Sequence, residues 1–126
     1  MRFDSEYKKL NSKQRQAVDL VEGPVMVVAG PGTGKTQVLT MRIGSILKQT
    51  DTEPESILAI TFTEAGVLAM RQRLASLIGS VAYKVEITTF HSFAHKVIQE
   101  FPEYFARILT SHHMSEVEQI LSLIHI

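Results

Sequence analysis

Val25-Met26-Val27-Val28-Ala29-Gly30-Pro31-Gly32-Thr33-Gly34-Lys35-Thr36 decides how this chain is read. Its first five residues are apolar and mostly β-branched, a run expected of a strand covered on both faces in a parallel sheet. Glycines at 30, 32 and 34, with Pro31, then break the chain sharply, and beyond Lys35 the apolar residues Leu39, Ile43, Ile46 and Leu47 recur on one helical face. Strand, glycine loop and helix follow in that order. In such a loop the glycines let the backbone curl so that successive N–H groups point at one cluster of oxygens, and the helix adds the positive end of its dipole. Phosphate is the natural guest.

Ala29 to Thr36 matches the Walker A pattern with Ala in place of its first Gly. The chemistry assigns each part a task. Lys35 bridges the β- and γ-phosphates of ATP as a point charge, and Thr36 places its hydroxyl on Mg²⁺. Gly34 leaves room beside the phosphates. The expected nucleotide site is therefore Ala29, Gly30, Pro31, Gly32, Thr33, Gly34, Lys35 and Thr36, with Lys35 and Thr36 the catalytic candidates and Thr36 the one metal ligand. A glycine-rich turn without a ligand is the bland alternative.

Working outward, Asn11 and Gln14 have the spacing of a capping box, and Ala17, Val18 and Val21 follow at helical intervals, which predicts a helix from about Ser12 to Val21. Met1 to Lys9 is polar without periodicity and reads as a frayed lead-in. Downstream, Ile57 to Thr61 reads as a second buried strand, and Val67, Met70, Leu74 and Leu77 mark a helix closed by Gly79. Val85 to Thr88 reads as a third strand. Phe90, Phe93, Val97 and Phe101 form the inner face of another helix, which Pro102 stops. Alternating strands and helices of this length predict an α/β parallel sheet with right-handed crossovers. Ser115 and Glu118 have the spacing to start a last helix around Glu116. The chain stops at LSLIHI inside a helical pattern, which reads as truncation.

The 126 residues suit one compact unit. With 13 Lys and Arg against 13 Asp and Glu, no global positive field announces nucleic acid, so a DNA partner has to be argued from a local surface. Cysteine is absent, which excludes disulfides and thiolate metal sites and accords with a cytoplasmic setting. The first residues are too polar for a signal peptide, and no apolar run is long enough to span a bilayer. His91 and His95 lie four apart on a predicted helix, but HSFAH lacks the Glu of HExxH and a third ligand, which argues against zinc.

Taken together, the motifs resemble the UvrD, Rep and PcrA group of superfamily 1 DNA helicases, from about Lys8 to Phe101. Leu10 to Val18 (LNSKQRQAV) is similar to that family's Q motif, in which the glutamine matching Gln14 recognises adenine. Ile57 to Thr63 (ILAITFT) with Ala69 to Leu74 is similar to motif Ia, whose Thr-Phe-Thr segment touches single-stranded DNA. Ile87 to Phe93 (ITTFHSF) resembles the next DNA-contacting motif. The resemblance implies DNA contacts at Phe62, Thr63, Thr89 and His91, with Phe62 a stacking platform on the sheet edge that carries the phosphate loop. Two departures stand out. Glu64 and Ala65 occupy places where the family often has Asn and Lys, and Gln37 stands where Arg is common.

The resemblance further implies a RecA-like P-loop NTPase sheet with flanking helices, incomplete here: residues 1–101 would be the N-terminal part of the ATP-binding domain and 102–126 the start of an inserted helical subdomain. The implied partners are single-stranded DNA and duplex junctions, without a membrane, and the implied parent activity is ATP-driven translocation and unwinding, 3′ to 5′, in settings such as DNA repair. No apolar strand ends in the Asp-Glu pair of a Walker B motif; Glu64 and Glu86 are the nearest substitutes, and neither has the right setting. Without a carboxylate to hold Mg²⁺ and orient water, the loop binds nucleotide and scarcely hydrolyses it. Two other functions fit the same loop: a small P-loop phosphotransferase, and a non-catalytic nucleotide-binding module.

Overall fold

The structure, a computed structural model, describes residues 2–32 and 34–105. In chain order these form α1 (Arg2–Lys8), α2 (Ser12–Asp19), α3 (Lys35–Gln49), β1 (Leu58–Thr61), α4 (Glu64–Ile78), β2 (Glu86–Thr89) and α5 (Phe90–Glu100). Short 3₁₀ turns at Pro54–Ser56 and Gly79–Lys84 lead into the two strands. The strands pair in a small parallel sheet, with the Glu86 N–H donating to the Ile57 carbonyl at 3.1 Å. The chain is thus α/β, as its periodicities imply. The last expected helix, around Glu116, lies outside the described residues.

Two expectations fail. Val25–Ala29 forms no strand, and the side chains of Val25 to Val28 are exposed, Met26 by 89% and Val28 by 88%. A run apolar on both faces is stable as a strand only between neighbours that cover it, and among the described residues the sheet has β1 and β2 alone. The second failure is the supposed lead-in. Residues 2–8 are helical because Phe3 is buried, joining Leu10, Val18, Met41 and Leu77 in the core cluster, with Tyr7, Val38 and Ile78 packed against it.

The chain divides into two units. The first comprises Met1–Ala59 and Leu68–Ile87, and it contains that core. In it Arg71 donates to the carbonyls of Ala82 and Val85, both at 3.0 Å, and to that of Ile87 at 3.5 Å, which ties α4 to the turn that feeds β2. Met70, Leu74 and Leu77 supply the buried face of α4, at the spacing the sequence shows. Among the described residues the second unit comprises Ile60–Val67 and 88–105. Here the buried residue of α5 is Ile98, while Phe101 is half exposed.

Candidate functional site

A cleft of about 640 Å³ opens in the first unit between α2 and α3. Its α2 wall presents Asn11, Lys13, Gln14 and Ala17; its α3 wall presents Lys35, Val38, Leu39 and Arg42; Val25 and Val27–Gly30 complete the lining. The α3 residues follow the i, i+3, i+4, i+7 rule for one helical face. The sequence reading missed Lys13 and Arg42; of the two only Arg42, at i+7 from Lys35 on one helical face, carries a spacing signal. Among the described lining residues the charged side chains are Lys13, Lys35 and Arg42, all cationic. Arg42 also donates from Nη1 to the Ala17 carbonyl at 2.7 Å, joining the two walls. An anionic guest suits that lining.

The loop itself is bent. Gly32 and Gly34 adopt φ of 73° and 76°, a left-handed conformation that a side chain disfavours. Gly34 is the N-cap of α3, and no side-chain hydrogen bond caps that helix. The first amides of a helix have no intrahelical acceptor, so the Lys35 end of α3 is a donor-rich, electropositive terminus beside the cleft. Lys35 and Thr36 are exposed, as are Gly30, Pro31 and Gly32. Thr33 lies outside the described residues.

Gln14 sits at the other wall, and its geometry follows from the capping box. The Gln14 N–H donates to Asn11 Oδ1 and the Asn11 N–H donates to Gln14 Oε1, both at 2.9 Å. With its carbonyl end held there, Gln14 lies so that its Nε2 would be 3.6 Å from a Cβ built on Gly34. The helix cap and the glycine loop therefore meet at one side chain.

The remaining candidates gather in the second unit. Phe62 is 63% exposed, and its ring meets that of Phe90 at 5.2 Å with a 39° tilt. Thr63 Oγ1 accepts the Gly66 N–H at 2.9 Å, shaping the first turn of α4. Thr89 is buried, and its Oγ1 accepts the Ser92 N–H at 3.1 Å as the N-cap of α5. That hydroxyl is spent on the fold. His91 is half-buried on the first turn of α5, and the Ser92 hydroxyl lies 3.4 Å from Glu64 Oε1. Both strand-to-helix turns thus share one aromatic and one polar contact.

Among the described residues no helix is long and apolar enough to cross a membrane. Comparison with known proteins gives one direction. The family model of the UvrD/REP helicase N-terminal domain matches residues 10–125. The ATP-dependent DNA helicase PcrA of Staphylococcus epidermidis is 42% identical over 92 residues, which are 73% of this chain and 13% of that protein. PcrA of Staphylococcus aureus is 40% identical over 90 residues, 71% of this chain and 12% of the relative. The chain therefore spans only a small part of the length of these relatives. A family model covering nearly all of the sequence, with identities of this size over most of its length, shows that the chain belongs to the UvrD/REP helicase N-terminal domain family.

Proposed function

We propose that this chain is the ATP-binding front part of an ATP-dependent DNA helicase of superfamily 1, with a RecA-like fold in the complete protein. One observation carries the reading: the glycine loop delivers the uncapped N-terminus of α3, with Lys35, into a cleft whose described charged lining is all cationic. In this reading the backbone from Ala29 to Thr36 and the Lys35 ammonium hold the triphosphate, Thr36 supplies a hydroxyl to Mg²⁺, and Gln14 faces the adenine. The donor set fits: an ammonium and helix amides for phosphate oxygens, a hydroxyl for a hard cation. Mg²⁺ supplies charge neutralisation between the phosphates when bound.

Hydrolysis is a different matter. No described lining residue is a carboxylate able to orient water or hold the metal, so these residues bind Mg-ATP without efficient turnover, and catalysis belongs to a full-length parent of the relatives' size. There the second unit would contribute to a single-strand track. Phe62 would offer a face to a base, a contact worth about 1–3 kcal/mol in such proteins, and His91 would meet the backbone, while Thr63 and Thr89 hold the two turns in shape. Translocation 3′ to 5′, action at duplex junctions, a cytoplasmic setting and a role in DNA repair go with this reading. So does the division into an ATP-binding domain over 1–101 and the start of a helical insertion over 102–126.

The test is titration with Mg-ATP carrying a fluorescent label. The chain is expected to bind, and Lys35→Ala is expected to weaken binding at least roughly tenfold, the loss of one charge-assisted phosphate contact. Unchanged affinity in that variant would remove the phosphate-loop assignment.

A further inference from the structure

Helix α1 lies ahead of the region that the family model matches, which begins at residue 10, yet it is fastened to both walls of the cleft. Toward α3, Phe3 fills a notch at Gly44: a Cβ there would stand 2.9 Å from the Phe3 ring. Lys48 Nζ lies 4.9 Å over that ring and 2.8 Å from Asp4 Oδ1. Gln37, on the first turn of α3, reaches Glu6 Oε2 from Nε2 at 3.5 Å. Toward α2, the Tyr7 hydroxyl donates to Asp19 Oδ2 at 2.7 Å, Arg15 lies 5.4 Å over the Tyr7 ring, and Arg15 Nη2 donates to the Lys8 carbonyl at 2.7 Å. Seven residues are far fewer than the 12 or so that sustain an isolated helix in water, so α1 is helical only because it is docked.

We propose that α1 is a clasp that sets the separation of α2 and α3, with Phe3 and Glu6 acting as positioning residues for nucleotide binding. The proposal rests on the nucleotide reading of the cleft. A ligand held by Gln14 on one wall and Lys35 on the other has to fit a spacing fixed by three attachments on α3 and two on α2. Linkage is reciprocal: if the docked clasp favours nucleotide, bound nucleotide favours the docked clasp by the same factor.

Hydrogen exchange of the α1 amides, with and without Mg-ATP, reads this directly. Nucleotide is expected to slow exchange in residues 3–8, and Phe3→Ala to weaken Mg-ATP binding about fivefold while removing that protection. Phe3→Leu is expected to restore most of both. Should Phe3→Ala not fold, Gly44→Ala gives an independent probe, because alanine favours the helix while its methyl group crowds the Phe3 ring; the same loss of affinity is expected. A purely structural role for α1 would lower the melting temperature and leave nucleotide affinity and α1 protection at wild-type values, and that result overturns the clasp alone. Absence of nucleotide protection anywhere, with Lys35→Ala indistinguishable from wild type, overturns the cleft assignment and the clasp with it.

Discussion

Arg71 joins residues that lie 11, 14 and 16 positions away in sequence. Removing it in Arg71→Ala leaves half-buried carbonyls short of a charged donor, and a loss of about 2 kcal/mol is expected in chemical denaturation. A change under about 0.5 kcal/mol would mean that solvent replaces it. Asn11→Ala removes the acceptor of one capping-box bond and is expected to cost about 1 kcal/mol by the same measurement. The two residues differ in how they could be found. Asn11 and Gln14 are three apart, so their partnership is written in local spacing, whereas the partners of Arg71 emerge only when β2 is placed.

Among the elements, α4 and α5 end where Gly79 and Pro102 stop them, because those signals act within a turn. The run Val25–Ala29 misled for the opposite reason: whether a β-branched stretch becomes a strand is decided by covering neighbours, which its own residues do not specify. For α1 a signal did exist. Phe3, Tyr7 and Leu10 recur at i, i+4 and i+7 inside an otherwise polar sequence.

The docking of α1 also has a predictable pH window. A hydrogen bond from Lys48, reinforced by its charge and by Lys8, holds the Asp4 carboxyl below its ordinary range; one from Lys9, with Arg2 and Arg73 nearby, does the same for Glu6. Tyr7 is shifted upward because its hydroxyl donates to Asp19, against a smaller opposing effect of Arg15. Ionised Asp4 favours docking through Lys48 on α3, so its contribution is present above about pH 4 and fades as pH falls through the lowered value, whereas the Glu6 shift arises chiefly from Lys9 and Arg2 beside it. Tyr7 favours docking while protonated, so its contribution is present below about pH 10 and is lost as pH rises through the raised value. Ring-proton NMR shifts of Phe3 should therefore hold steady between those limits and move toward free-phenylalanine values outside them. A midpoint near neutrality would contradict this account.

At the level of the whole molecule, the family could be read from the order of three motifs, each a short contiguous stretch with its own chemistry. The α/β class was legible in the same way. The extent of the sheet was not, because strands that complete a parallel sheet come from distant sequence. ATP turnover by this chain is expected to stay near the assay background with or without single-stranded DNA, while a protein of the relatives' full length should hydrolyse ATP faster when DNA is added; a phosphate-release assay checks both.

The stretch from Val25 to Val28 carries a practical consequence for the bench. Greasy side chains in water, next to backbone that no ladder occupies, form a template onto which another molecule's matching stretch can add, and the growing assembly exposes a fresh copy each time. Stock solutions should then cloud with a steep dependence on concentration, and Met26→Lys, at an exposed position outside the cleft lining, should keep them clear in a light-scattering assay.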